Sequence, residues 1–297
     1  MIARYTRPEM GRVWNDENRF QKWLEVELAA TETLAEAGVV PREAAATLRQ
    51  RARADVARIN EIEAKVRHDV IAFTIAVQES VADPEAARWL HYGLTSNDVV
   101  DTAQALLVRE ASHLIEKKIE ALGGVLERRA WEFKDTPEIG RTHGIHAEPI
   151  TFGLKIANWY AENRRDLARF QVAAQQMAVG KISGAVGTCT HLGPDIEQKI
   201  CHRLGLATAP ITSQVIERDR HAQYLTTLAV VAASLILSTA GFVVFDRLIP
   251  FFHISASTER WCEAIISAAG TPCGAALVAY WLRQREINRR KQAPIAE

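Results

Sequence analysis

The chain has 297 residues, with 36 Lys and Arg balancing 36 Asp and Glu, 48% hydrophobic and 24% charged residues. This is ordinary globular composition, which excludes a disordered or collagenous chain, and the length provides for one large domain or two, each with a core of its own. A formal net charge of zero gives no global attraction for nucleic acid or an anionic membrane surface, so an anionic small molecule has to be held by a local cluster.

Alanine and leucine are abundant, and neither sustained alternation of polar and apolar residues nor an Asn-Gly or Asp-Gly turn occurs, so the fold class expected is all-α. Arg4 and Tyr5 precede the first helix, and on their own read as surface residues. That helix opens at Asn15 or Asp16, either of which caps free N–H groups, and carries Phe20, Leu24, Leu28, Thr31 and Leu34 at helical spacing. Gly38 and Pro41 stop it. A second helix starts near Pro41 and includes Leu48. Arg67-His68-Asp69-Val70-Ile71-Ala72-Phe73 follows. A His beside an Asp invites a general-base reading, yet neighbours on a helix point about 100° apart, so on the residues alone packing on a helix face is the favoured reading.

After Asp83-Pro84 comes His91-Tyr92-Gly93-Leu94-Thr95-Ser96-Asn97-Asp98-Val99-Val100-Asp101. Thr95, Ser96 or Asn97 caps the long helix that begins here, and a helix N-terminus also welcomes a carboxylate or phosphate. The helix runs from Asp98 to about Lys134, tolerating Gly123-Gly124, with Ile115, Ile119, Leu122 and Leu126 forming a bundle seam. Leu167, Phe170, Ala174 and Met177 repeat the seam on a second long helix. Between the two lies Gly140-Arg141-Thr142-His143-Gly144-Ile145-His146-Ala147-Glu148-Pro149-Ile150-Thr151-Phe152-Gly153, a polar turn between rigid helices that can aim side chains at a small ligand. Its His-x-x-His spacing is a poor metal signature without further ligands, and no metal is expected.

Gly180-Lys181-Ile182-Ser183-Gly184-Ala185-Val186-Gly187-Thr188 lacks the Gly-Lys-Ser/Thr ending of a phosphate loop and reads as a turn between helices. A short helix through Ile196, Ile200 and Leu204 ends at Gly205, and Thr212-Ser213-Gln214-Val215-Ile216-Glu217-Arg218-Asp219-Arg220-His221 follows. Ala222 to Phe245 carries no charge and is long enough for a transmembrane candidate, with Arg247 and the basic residues Arg283, Arg285, Arg289, Arg290 and Lys291 beyond it. Burial as a bundle helix is the favoured reading over a membrane span. The four cysteines show no Cys-x-x-Cys spacing, none reads as a nucleophile, and no signal-peptide core follows Met1, so a reducing cytoplasm is expected.

Five of these stretches, in order and across residues 1 to 235, resemble the adenylosuccinate lyases of the fumarase/aspartase superfamily. They are the Arg4-Tyr5 start with Met10 to Leu24, His-Asp-Val-x-Ala-Phe from His68, the Thr95-Ser96 string, the Thr142-His143 stretch and Ser-Gln-x-Ile from Ser213. The resemblance implies an N-terminal helical domain over 1–97, part of a long-helix bundle over 98–235 and an unmatched tail over 236–297, possible as helix. It implies a homo-oligomer, a tetramer whose sites each draw on three subunits, acting on a small nucleotide substrate with no metal or organic cofactor. The implied reaction is β-elimination, which releases fumarate from adenylosuccinate and from the related succinyl-carboxamide ribotide of purine synthesis. By position His143 is the acid and His68 assists it. Thr95, Ser96 and Gln214 hold the succinyl part, Arg4 and Tyr5 the nucleotide end, and Arg67 and Asp69 flank His68 at the substrate. The superfamily's base is a serine in a Ser-Ser…Met-Pro-x-Lys-x-Asn loop, and no such string occurs here; Ser255, Ser257 and Ser267 lack its context. A truncated or frame-altered, catalytically impaired lyase is therefore expected. The alternatives are an elimination enzyme of argininosuccinate lyase or carboxymuconate cycloisomerase type, and a non-catalytic helical oligomerisation module.

Overall fold

A computed structural model describes residues 3–143 and 145–248, with side chains described for 4–143 and 145–236. The chain divides into two units, 1–235 and 236–297. Ser255, Ser257, Ser267 and the basic residues from Arg283 to Lys291 lie outside the described residues.

The N-terminal part packs helices α1 (Pro8–Val13), α2 (Asp16–Glu36), α3 (Arg42–Arg51), α4 (Val56–Val66), α5 (Asp69–Val81) and α6 (Pro84–Ala87). Asn15 caps α2 by accepting the Asn18 N–H at 2.8 Å, as the sequence predicts. One face of α2 buries Phe20, Trp23, Leu24, Leu28 and Leu34. Phe20 and Trp23 meet edge to face at 5.2 Å, and Phe73 from α5 closes on both at 6.1 and 5.4 Å. Each such ring pair contributes about 0.5–1.5 kcal/mol beyond area burial, which locks α5 onto α2.

The axis of the molecule is α7 (Ser96–Glu132), 37 residues long. Thr95 and Asp98 form a reciprocal capping box at its start. Helix α8 (Phe152–Met177) and the first turns of α10 (Asp219–Leu248), as far as Val231, pack along it, and Val108, Ile119, Leu167, Phe170, Met177, Tyr224 and Val231 form their shared core. The Ser112 and Tyr224 hydroxyls, 2.8 Å apart, satisfy each other inside that core. Helix α9 (Pro194–Arg203) and a short parallel pair, β3 (Val179–Gly180) with β4 (Ala207–Thr208), connect α8 to α10. No helix among the described residues is long and apolar enough to cross a membrane.

Besides that short pair, the helical fold of the described residues is interrupted by one hairpin. Where the sequence predicts a polar turn between helices, the chain forms an antiparallel hairpin of β1 (Pro137–Thr142) and β2 (Ile145–Thr151). Thr142 pairs with Ile145, and His143, which follows Thr142 in the connection, takes the left-handed conformation that tight hairpin turns use (φ 53°). The hairpin joins α8 directly: a Cβ on Gly153 would stand 2.5 Å from the Ala130 carbonyl oxygen, so only glycine lets α8 start this close to the end of α7.

Candidate active site

The first turns of α7 gather three loops through carboxylates that point away from water. Asp98 is fully buried and accepts from the Thr95 N–H at 2.9 Å, from the Gly184 N–H at 3.2 Å and from Lys181 Nζ at 2.5 Å. Lys181, also fully buried, donates a second bond to the Gly184 carbonyl oxygen at 2.7 Å, while its backbone N–H donates to Thr102 Oγ1 at 3.0 Å. The glycine-rich stretch that reads as a plain turn is thus bolted to α7 by an internal ion pair. Removing one partner of such a pair typically costs about 3–5 kcal/mol, because the other charge is left in a low-dielectric interior.

One turn further on, Asp101, only 4% exposed, accepts the Ile216 N–H at 2.8 Å and Arg218 Nη2 at 3.0 Å. Ser183 and Thr212 share a hydroxyl hydrogen bond of 2.7 Å, and Gly187, at φ 78°, passes so close to the Thr212 carbonyl oxygen that a Cβ there would sit 1.9 Å from it. These contacts fix the loop bearing Gln214 against the loop from Lys181 to Thr188. Gln214 itself is exposed. Thr95 and Gln214 therefore belong to loops anchored at one end of α7, where Ser96 begins the helix.

His91 adds an imidazole to the same end. Its ring Nδ1 lies 2.6 Å from Glu27 Oε1, and its backbone N–H donates to Glu27 Oε2 at 2.8 Å. Glu27 is fully buried in α2. Burial opposes charge on the ring, but the Glu27 carboxylate, with Asp98 adding through space, outweighs it and holds the His91 pKa above its ordinary value. Glu197 of α9 plays a similar part for the glycine-rich loop, accepting the Ile182 N–H at 2.7 Å. The Cys189 thiol, 3.7 Å from Glu197 Oε2, is pushed up by burial and by that carboxylate, which makes it a poor nucleophile.

The other predicted residues lie elsewhere. His68 is the cap residue of α5 rather than part of a helix face: its backbone is extended, its Nδ1 accepts the Ile71 N–H at 3.4 Å, and Asp69 Oδ1 stands 3.5 Å away. Arg67 beside it ends α4 in the left-handed conformation (φ 54°). Arg4 stacks on the Tyr5 ring at 4.7 Å in a 3₁₀ turn (Ala3–Tyr5). Tyr5 lines an apolar groove with Met10, Leu114, Ile115, Ile119 and Leu122, near the middle of α7. His143, Arg141 and His146 are exposed on the hairpin.

Sequence reading missed Glu27, His91, Asp98, Asp101, Lys181 and Glu197. A signal was available for Glu27, which falls on the apolar stripe of α2 between Trp23, Leu24 and Thr31, where a charge has no reason to be without a buried partner.

Comparison with known proteins places this architecture. A family profile described as "Lyase" matches residues 3–238. Adenylosuccinate lyase of Bacillus subtilis is 52% identical over 235 residues, 79% of this chain and 54% of that protein; the enzyme of Staphylococcus saprophyticus is 48% identical over the same extent. The chain thus spans about half the length of these relatives. The crystal structure of a fumarate lyase from Mesorhizobium sp. BNC1 superposes with a TM-score of 0.73 at 28% identity, covering 81% of this chain and 58% of that one. The chain belongs to the lyase family.

Proposed function

We infer that the chain carries the substrate-holding half of an adenylosuccinate lyase-like site. That site breaks a C–N bond by β-elimination, releasing fumarate from adenylosuccinate, and from the related succinyl-carboxamide ribotide, in purine nucleotide synthesis. The observation that carries this reading is the 52% identity to an adenylosuccinate lyase over 235 residues, a stretch that includes every loop anchored at the start of α7. The solved fumarate lyase at 28% identity is a more distant likeness, which favours the adenylosuccinate type over other eliminations.

In this reading Thr95, Ser96 and Gln214 receive the succinyl carboxylates. Two features suit them to it: the free N–H groups of the α7 terminus attract negative charge, and buried Asp98 and Asp101 keep the two loops from relaxing away. Loss of a proton next to a carboxylate builds a dianionic aci-carboxylate, and preorganised donors lower its energy. His143 protonates the departing nitrogen and His68 assists, histidine being the side chain most often used for such proton transfer. Arg4 and Tyr5 take the nucleotide end, with Arg67 and Asp69 beside His68.

We place the active form as a homotetramer in the cytoplasm. Leu154 and Val172 on α8 and Leu225 on α10 are 60%, 52% and 64% exposed, apolar side chains that would suit burial against sister subunits. The two described cysteines are free thiols, in keeping with a reducing compartment.

No Ser-Ser…Met-Pro-x-Lys-x-Asn string occurs in the 297 residues. An acid or base group contributes about a hundredfold to ten-thousandfold, so this chain by itself binds adenylosuccinate but turns it over at least about a hundredfold more slowly than a full-length relative. Calorimetric titration with adenylosuccinate, followed by an absorbance assay of its loss, tests both halves. Absence of binding would remove the reading, and turnover equal to the intact enzyme would remove the assignment of a missing base.

A further inference from the structure

We propose that Glu27 is a positioning residue: it fixes the ring and the Nδ1 proton of His91 so that the imidazolium presents its Nε2–H to an anionic group of the ligand. The proposal rests on the reading that the start of α7 is a substrate site.

Glu27 is 0% exposed, and both its carboxylate oxygens are committed to one residue 64 positions away, Oε2 to the His91 N–H and Oε1 to its ring Nδ1. Neither oxygen has another partner among the described residues. A buried carboxylate without a counter-charge is costly, so the ring beside it is held with a proton on Nδ1. The backbone bond matters as much. His91 sits in the left-handed region at φ 65°, a conformation that costs a non-glycine residue about 1–3 kcal/mol and persists only where its surroundings impose it. Glu27 imposes it at both ends of the residue.

The consequence is directional. With Nδ1 turned into α2, Nε2 is the ring's remaining polar atom, it has no partner among the described residues, and the side chain keeps 25% of its surface in contact with solvent. His91 lies four residues before Thr95, on the loop that leads into the α7 terminus. When the ring is cationic, Nε2–H joins the free N–H groups of that terminus as a donor to negative charge. When the ring is neutral, the proton stays on Nδ1 and Nε2 becomes an acceptor, which repels the same anion. The charged groups acting on the ring are Glu27 from α2 and Asp98 from α7, both of which favour the cation.

The anion is a carboxylate or a phosphate, and fumarate and AMP separate the two. The test uses the whole chain labelled with ¹⁵N, with His91→Gln assigning the ring signal. In the wild type the His91 ring titrates with a midpoint above the ordinary value, and its neutral form has the proton on Nδ1, the reverse of the tautomer free histidine favours. In Glu27→Gln the midpoint falls to the ordinary value or below. Affinity of the wild type for fumarate or for AMP, measured by calorimetry, falls about ten- to hundredfold as pH rises through the His91 midpoint, as expected for loss of one charge-assisted bond; in Glu27→Gln it is weak and flat across that range. Which of the two anions responds names the group held. A wild-type ring with its neutral proton on Nε2 overturns the proposal, and that spectrum needs no variant to fold. Failure of both anions to bind the wild type would overturn the ligand half and the reading it rests on, while leaving the ring assignment to be decided by the spectrum.

Discussion

Thr95 and His143 stand at opposite ends of α7. Thr95 caps the first turn, and the hairpin tipped by His143 begins five residues past the last turn, at Pro137. A helix of 37 residues spans about 55 Å at 1.5 Å per residue. Strand β2, with seven residues, reaches back at most about 23 Å. One chain therefore cannot bring the two residues to the same small substrate, although both belong to the stretches that resemble a lyase site. Arg4 and Tyr5, beside the middle of α7, mark a third separate place. Scattered in one chain, these residues meet only if several chains contribute to each site.

The buried Lys181–Asp98 pair predicts a lopsided mutational result. Lys181→Met leaves Asp98 charged and unpaired in the interior and lowers unfolding free energy by about 3–5 kcal/mol, read from urea denaturation. Combining it with Asp98→Leu recovers part of that loss, because no lone charge remains. Equal losses in the single and double variants would mean the ion pair is not the anchor of the glycine-rich loop.

Stability should also depend on pH through His91. Its folded-state pKa is raised, so its contribution is fully present below the ordinary histidine value near 6.5 and is lost as pH rises through the folded value. Denaturation midpoints measured from pH 6 to 9 therefore fall more steeply for the wild type than for Glu27→Gln. Parallel curves would contradict the Glu27–His91 coupling.

Asp101→Ala removes the acceptor for the Ile216 N–H and for Arg218, leaving a buried donor unsatisfied at a cost of about 1–3 kcal/mol. The local effect is the diagnostic one: amide hydrogen exchange between Thr212 and Arg218 accelerates, while exchange in α2 is unchanged. Protection that stays put would show that Gln214 is held by other contacts.

Cys201 offers a probe of packing between α9 and the β3–β4 pair. Burial pushes its thiol up to about 12, so at neutral pH it is a neutral, inaccessible group. Mass-spectrometric mapping after brief alkylation in native buffer should find Cys201 unmodified and modified fully only in denaturant. Rapid native labelling would mean this packing opens readily.

Much of the fold is written locally. Asn15 and Thr95 announce helix starts, and the apolar repeats through Ile119 and through Phe170 announce two long helices that share a core. The hairpin is not announced, because its turn uses His143 in a conformation usually given to asparagine or glycine, and its strands are too exposed to show alternation. The charge network is hidden for a different reason. Glu27 meets His91 across 64 residues and Asp98 meets Lys181 across 83, and no local pattern reports a partner that only tertiary folding supplies. The candidate site residues can be read from motifs; the buried carboxylates that hold their loops in place need the fold.

Mixing two defective chains tests the shared site most directly. Chains carrying His143→Gln, and chains carrying Thr95→Ala with Ser96→Ala, are each predicted to bind adenylosuccinate at least about tenfold more weakly than the wild type. Unfolded together in equal amounts, refolded and titrated by calorimetry, they should regain wild-type affinity at about a quarter of the sites, those drawing the α7 start and the hairpin from the two intact sources. A mixture that binds as the simple average of its parents, with no high-affinity fraction, would contradict a site assembled from separate chains.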